Sequence, residues 1–83
     1  MLDILIENIG KIHTTGMGVD RIRNNLDLGE IDVVAWCKNK ILDNRSVKER
    51  KGKNWYVHID GYVITINVSS YTIITCHKKI EEQ

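Results

Sequence analysis

Proline is missing from this 83-residue sequence, and cysteine occurs only twice. Without proline, glycine, asparagine, aspartate and serine have to supply the turns. The two cysteines, Cys37 and Cys76, are far apart in the sequence. They have neither the paired spacing of a zinc site nor the density of a disulfide scaffold. We therefore expect two reduced, buried thiols.

Long apolar runs are missing too. No stretch approaches the roughly 18 to 20 apolar residues that a membrane-spanning helix needs, so no membrane partner is predicted. The first twelve residues carry Asp3 and Glu7, and they lack the basic region and the small-residue cleavage site of a secretory signal. These features predict a cytoplasmic protein.

The composition is that of a folded protein, because 42% of the residues are apolar and 28% are charged, which excludes the disordered class. A chain of this length holds one core, and it contains no repeat, low-complexity tract or linker. We predict a single domain over residues 1–83. The oligomeric state stays open.

Apolar residues recur every three or four positions in the first half of the chain, which predicts helices. The first helix ends near Lys11 and is followed by a turn, HTTGMG. The second spans residues 19–26, and an Asp27–Glu30 capping box starts the third, which ends at residues 43–44. The residues predicted to form the apolar stripes of the first and third helices are Leu2, Leu5, Ile6, Ile9, Ile12, Ile31, Val34, Trp36, Ile41 and Leu42.

From residue 46 the apolar period changes to two and the β-branched content rises, which predicts strands. Four strands fit residues 46–50, 54–59, 62–68 and 71–77. The predicted fold class is therefore α+β, with three N-terminal helices followed by a four-stranded antiparallel β-meander.

Turn lengths predict the strand register. A two-residue turn at Asp60-Gly61 pairs Ile59 with Tyr62, Val57 with Ile64 and Trp55 with Ile66 on the core face. A Ser69-Ser70 turn pairs Ile66 with Ile73, Ile64 with Thr75 and Tyr62 with His77. This register places Thr75 and His77 on the helix-packed face, and Tyr56, His58 and Cys76 on the opposite face.

Positive charge is concentrated in the middle of the chain. Residues 1–37 hold three basic and six acidic residues, whereas residues 38–53 hold seven basic and two acidic ones. Such a patch neutralises phosphates, so RNA is the predicted partner, with Tyr56 as the stacking aromatic. A solubilising face without a partner is the alternative. The predicted nucleic-acid-binding residues are Lys38, Lys40, Arg45, Lys48, Arg50, Lys51, Lys53 and Tyr56.

Diagnostic catalytic and metal-binding motifs are lacking. There is no P-loop, nucleophile elbow, His-x-x-x-His or Cys/His cluster, so neither a metal nor a cofactor is predicted. The glycines of Gly16-Met17-Gly18 fit a tight turn better than an anion site. His13, His58 and His77 are candidates for acid–base chemistry, although a lone histidine is more often a surface or capping residue.

Three segments together resemble a bacterial family of small uncharacterised proteins, which implies a fold family without an activity. They are IHTTGMGVDRIRNNL, DVVAWCKNKI and GKNWYVHIDGYVITINVSSYTIITCHK. The order of short helices before an antiparallel meander also resembles the barnase, colicin and RelE-like ribonuclease toxins. That resemblance implies metal-independent RNA cleavage. It implies His13 and His77 as acid and base, Arg21 and Lys53 as phosphate cations, and Thr75 as a further site residue.

Two other functions are compatible with the sequence. A non-catalytic module of winged-helix type would use the third helix for recognition, with Lys38 and Lys40 facing the nucleic acid. A phage or mobile-element protein that inhibits a nucleic-acid-handling machine would need a protein partner and no active site.

Overall fold

The helices come first in the chain and an antiparallel sheet follows, as the α+β prediction requires. The computed structural model describes residues 4–79, so the predicted core residue Leu2 lies outside the described part. The elements are α1 (Ile4–Glu7), a 3-10 turn (Ile9–Lys11), α2 (Gly16–Leu26), α3 (Val33–Leu42), β1 (Val47–Lys51), β2 (Asn54–Ile59), β3 (Tyr62–Asn67) and β4 (Ile73–Lys78). The strands lie in the order β1-β2-β3-β4, which makes the sheet a meander.

The first predicted helix is broken, so its extension to Lys11 is wrong. The α-helix ends at Glu7, because the Asn8 side chain donates to the Ile4 carbonyl at 2.8 Å and competes with helix continuation. A 3-10 turn follows. Leu5 and Ile12 are nevertheless buried in the core, as their spacing predicts, whereas Ile6 is exposed.

Helix α2 begins three residues earlier than predicted. Thr15 is its N-cap, and its hydroxyl oxygen accepts from the Gly18 backbone N–H at 3.0 Å. The glycines at 16 and 18 therefore belong to the first turn of the helix and not to a loop. Helix α2 ends at Leu26, and its C-cap, Asp27, adopts a left-handed conformation with φ of 53°.

The predicted capping box at Asp27 and Glu30 is wrong, because Asp27 closes α2 instead of opening α3. Asp32 is the N-cap of α3, and its carboxylate accepts from the Ala35 N–H at 3.1 Å. The later start also changes the core face. Its buried residues are Val33, Cys37 and Ile41, each four positions apart.

Two predicted core residues of the third helix are exposed. Ile31 precedes the helix and is 49% exposed, and Leu42 is 45% exposed because it lies beside the buried stripe. Trp36 is partly buried and packs edge-on against Tyr62, with 5.2 Å between ring centroids. Helix α3 therefore uses one narrow stripe plus one aromatic contact.

The predicted register between β2 and β3 is confirmed: Ile59 pairs with Tyr62, Val57 with Ile64, and Trp55 with Ile66. Asp60 and Gly61 both have positive φ, 50° and 81°, as a type I′ hairpin turn requires.

The register between β3 and β4 shifts by one residue. Ile66 pairs with Ile73 as predicted, but Thr65 pairs with Thr75 and Ile64 with Cys76, which leaves Ile74 as the extra residue of a bulge. The predicted pairs of Ile64 with Thr75 and of Tyr62 with His77 are wrong. Beyond the bulge, every side chain of β4 lies on the face opposite to the one that the predicted register gives it. Cys76 is therefore in the core, and Thr75 and His77 lie on the face turned away from the helices.

The helical half is attached to β4 by polar contacts. The Thr14 hydroxyl donates to the Ile73 carbonyl at 2.8 Å, and the Asn25 side chain donates to the Cys76 carbonyl at 3.3 Å. Helix α2 packs along the same strand. β4 is therefore the covered edge of the sheet, whereas most residues of β1, at the other edge, are exposed. Within residues 4–79, no helix has the length and apolar character needed to cross a membrane.

Candidate functional site

His13 lies beside the start of β4. Its backbone N–H donates to the Tyr71 carbonyl at 3.2 Å, and its carbonyl accepts from the Ile73 N–H at 2.7 Å. Its ring nitrogens also have partners, since Nδ1 lies 2.8 Å from the Lys11 carbonyl and Nε2 lies 3.1 Å from the Thr72 hydroxyl. A carbonyl only accepts, so this geometry places the proton of a neutral ring on Nδ1.

His77 lies near the other end of β4. It is five residues beyond Thr72, which corresponds to roughly 15 Å along a strand. The His77 side chain is exposed, and its Nδ1 lies 3.1 Å from the Lys78 carbonyl. The structure therefore does not bring His13 and His77 together.

The other residues implied by the ribonuclease resemblance are also dispersed. Arg21 is an exposed residue of α2, which packs on β4, whereas Lys53 is exposed in the turn between β1 and β2. Thr75 is partly buried on the face away from the helices, opposite Thr65. These five residues form no common site, and their catalytic roles stay predictions.

Within the described part of the chain, some cations of the basic stretch, residues 38–53, form ion pairs with acidic residues, and others do not. Lys40 Nζ lies 2.9 Å from the Asp60 carboxylate, and Arg45 Nη2 lies 3.2 Å from the same carboxylate and 2.8 Å from Asp43. Lys40 Nζ also lies 5.2 Å from the Trp36 ring centroid. Lys40 and Arg45 are therefore occupied at the Asp60 end of the sheet.

The side-chain hydrogen bonds from Arg45, followed by its backbone N–H, lower the pKa of Asp43 from 3.8 to about 2. In return, the Asp43 carboxylate raises the pKa of Arg45. This pairing is local to the loop after α3. Of the two lysines that the winged-helix alternative uses, Lys40 is paired with Asp60 and Lys38 is partly buried. That alternative stays a prediction.

The remaining predicted cations lie elsewhere. Lys38 is partly buried on α3, and Lys48 Nζ donates to the Ser46 hydroxyl at 2.9 Å. Arg50, Lys51 and Lys53 are exposed at the β1–β2 turn, and with Gly52 they form the hairpin tip. The Arg50 guanidinium lies 5.9 Å from the Trp55 ring centroid, and Lys51 Nζ lies 3.3 Å from Glu49.

A depression of about 320 Å³ lies next to the hairpin tip, on the face of the sheet turned away from the helices, which we call the open face. Its lining residues are Glu49, Lys51, Tyr56 and His58. Glu49 is directly opposite Tyr56, and His58 is opposite Val47, so Glu49 and His58 are diagonal neighbours across the β1–β2 pair. Alternation along two adjacent strands therefore gathers a carboxylate, an ammonium, a phenol and an imidazole.

His58 differs from His13 in its polar contacts. Its Nδ1 is buried and has no hydrogen-bond partner among residues 4–79. A buried polar atom left unpaired costs about 1 to 3 kcal/mol, which marks this nitrogen as an exception in the fold. Glu49 is not among the residues predicted from the sequence, and the pairing of β1 with β2 is the signal that identifies it.

A second feature that the sequence does not predict lies at the same end of the sheet, where two neighbouring aromatic rings are flanked by two cations. Lys11 Nζ lies 5.6 Å from the Tyr71 ring centroid, the Tyr71 and Trp55 rings are 5.6 Å apart, and Arg50 lies over Trp55. Tyr71 adopts a φ of 59°, which is uncommon for a bulky residue. The ring contacts and the hydrogen bond from its N–H to the Asn67 carbonyl at 3.0 Å hold it there.

Both cysteines are free and buried, as predicted. They are not isolated, however, because a hydrogen bond with Cys37, together with burial, raises the pKa of the Cys76 thiol. Among residues 4–79 no group of three or more histidine, cysteine, aspartate or glutamate side chains is arranged to hold a metal ion.

These features define an α+β domain with a short helical half, a four-stranded meander and a polar depression on the open face. Residues 6–77 match the family described as "Protein of unknown function (DUF3781)", and the chain belongs to that family. The resemblance to a family of uncharacterised proteins is thereby confirmed. No curated protein and no solved structure matches the chain. The likeness to ribonuclease toxins stays a prediction.

Proposed function

We propose that this protein binds single-stranded RNA with its β1–β2 hairpin. The observation that carries the proposal is the placement of the exposed cations of the hairpin tip, Arg50, Lys51 and Lys53, beside the partly buried ring of Tyr56. Cations next to an aromatic side chain on a sheet suit a strand whose phosphates and bases alternate.

The ion pairs within the basic stretch favour the hairpin tip as the RNA-binding location. Asp60 and Asp43 occupy Lys40 and Arg45 at the opposite end of the sheet. At the hairpin tip, within the described part of the chain, only Lys51 has a carboxylate partner, and the Glu49 and Lys51 side chains of that pair are 49% and 73% exposed. Ion pairs this exposed are weak, so a phosphate can replace the carboxylate at little cost.

The aromatic side chain favours unpaired bases. A base stacks on Tyr56 only after it has left its own helix, which is easy in a single strand and costly in a duplex. The 2′-hydroxyl of RNA both donates and accepts hydrogen bonds. The side chains of the depression, Glu49 and His58 among them, can pair with it, so we propose RNA over DNA.

The test is fluorescence anisotropy of a short labelled oligouridylate over a series of salt concentrations. We expect Lys51→Gln together with Lys53→Gln to weaken binding and to lower the salt slope by about 0.7 for each phosphate that the variant no longer neutralises. Tyr56→Leu should weaken binding by roughly 1 kcal/mol or more, because it removes a stacking ring.

The matched control removes the same charge elsewhere. Lys78 and Lys79 are exposed at the far end of β4, away from the hairpin tip. Lys78→Gln with Lys79→Gln should leave the affinity and the salt slope unchanged. Equal losses in the two double variants would show non-specific attraction and contradict a hairpin site.

A further inference from the structure

The depression on the open face contains ionisable side chains that could transfer protons as well as bind RNA. It combines a carboxylate, Glu49, an imidazole, His58, and an ammonium, Lys51, on one face of a single β-hairpin. We infer that Glu49 and His58 are the proton-transferring pair of a metal-independent RNA-cleaving site. This inference rests on the proposed RNA binding and adds a reaction to it.

The register sets the separation of the pair. Diagonal neighbours on an antiparallel pair lie about 7 to 8 Å apart at Cα, so Glu49 and His58 can stand on two sides of one phosphate. A carboxylate is an acceptor of protons, and a histidine can donate one near neutral pH. Two such groups flanking a phosphodiester supply the base and the acid that its cleavage requires.

Lys51 completes the arrangement. Its Nζ lies 3.3 Å from Glu49 Oε1, which places a positive charge next to the atom that would take the proton. The same ammonium can turn to the phosphoryl oxygens, where negative charge increases in the transition state. Tyr56, directly opposite Glu49, positions the base by stacking.

The reaction is a transfer within the RNA. Glu49 takes the proton of the 2′-hydroxyl, and the 2′-oxygen forms a bond to the adjacent phosphorus. The bond from phosphorus to the 5′-oxygen breaks, and the His58 imidazolium gives its proton to that oxygen. The products are a 2′,3′-cyclic phosphate and a 5′-hydroxyl. Solvent then takes the proton from Glu49 and restores one to His58.

His58 suits the acid role better than the two histidines suggested by the resemblance. Both ring nitrogens of His13 have partners, which fixes its proton on Nδ1. His77 lies on the open face in the same cross-strand row as His58, with Val63 between them, but on β4 and outside the depression. It therefore supplies a control on the same face.

The experiment incubates the full chain with labelled RNA in EDTA and measures cleavage and binding on the same samples. Glutamine keeps a hydrogen-bonding amide at each position, so we expect Glu49→Gln and His58→Gln to weaken binding less than they slow cleavage. At protein concentrations that saturate binding, they should cut RNA at least about 100-fold more slowly than the unaltered chain. His13→Gln and His77→Gln should cut at nearly the original rate. RNA with one 2′-deoxy position should be bound but left intact there, and mass spectrometry should find the cyclic phosphate.

Any other outcome would contradict the cleavage inference, the RNA-binding proposal or both. RNA that is bound and stays intact removes the cleavage inference and leaves the binding proposal standing, whereas absence of both removes both. Cleavage that disappears in His13→Gln or His77→Gln but persists in His58→Gln assigns the chemistry to other residues. If His58→Gln fails to fold, Glu49→Gln still decides, because Glu49 lies at an exposed edge strand.

Discussion

Arg45 holds Asp43 with three hydrogen bonds. Its Nε donates to Oδ1 at 3.1 Å, its Nη2 donates to Oδ2 at 2.8 Å, and its backbone N–H donates to Oδ1 at 2.8 Å. Charge-assisted bonds of this kind favour the ionised carboxylate, and they lower the pKa of Asp43 from 3.8 to about 2. The loop after α3 is therefore tied to the protonation state of one residue.

Acid stability should depend on this pair. The pKa of Asp43 is lower in the folded than in the unfolded chain, so its contribution is present above pH 3.8 and is lost as the pH falls towards 2. We expect Arg45→Gln to flatten the fall of the urea midpoint across that window. Arg21→Gln, at an exposed position of α2, should keep the original profile. Identical profiles for the two variants would contradict the assignment.

Two glycines of the first turn of α2 should respond oppositely to alanine. A Cβ at Gly18 would collide with the Thr14 hydroxyl, which donates to the Ile73 carbonyl, whereas a Cβ at Gly16 meets no atom within 4 Å. We expect Gly18→Ala to lower the free energy of unfolding by about 1 to 3 kcal/mol. Gly16→Ala should raise it by about 0.4 to 1 kcal/mol.

Urea denaturation of single and double variants checks the cause. If Thr14 is the obstacle, Gly18→Ala should do little further harm when Thr14→Ala is already present, which gives a coupling energy between the two positions. An equal loss with and without the Thr14 hydroxyl would show that the contact does not explain the glycine.

Neighbouring isoleucines lie at the start of the bulge in β4. Ile73 is 1% exposed, and Ile74, the extra residue, is 38% exposed. We expect Ile73→Ala to cost about 2 to 5 kcal/mol and Ile74→Ala less than about 1 kcal/mol, measured by urea denaturation. Similar losses at both positions would contradict this placement of the two side chains.

The same bulge shows why part of the fold cannot be predicted from the sequence. The β2–β3 register follows from Asp60-Gly61, because a two-residue turn leaves one alignment. Strict alternation after Ile73 would instead bury Thr75 and His77, two polar residues, at a cost that the fold avoids. The extra residue places Cys76 inside, so packing against the helices decides the register there.

The candidate site, like the sheet register, can be predicted from the sequence only in part. The basic stretch is visible in the sequence, and three of its cations do lie exposed at the hairpin tip. The ion pair between Lys40 and Asp60 joins residues 20 positions apart, so no local sequence pattern predicts it. Glu49 escapes prediction because it is an acid within a basic run. Its place opposite Tyr56 follows only from the β1–β2 pairing.

Thiol chemistry gives the last prediction. The hydrogen bond with Cys37 and burial both raise the pKa of Cys76, so little of the reactive thiolate exists in the folded chain. We expect iodoacetamide to leave both cysteines unmodified under native conditions and to modify both in urea, as mass spectrometry would show.

Ile74→Cys is the matched comparison, since it adds a thiol two residues from Cys76 at an exposed position of the same strand. That thiol should react rapidly in the folded chain while Cys76 does not, because only Cys76 must wait for the core to open. Equal rates at the two positions would mean that Cys76 is on the open face and that β4 has no bulge. The labelling rate of Cys76 then measures how often β4 separates from the helices that cover it, and RNA bound at the distant hairpin tip should leave it unchanged.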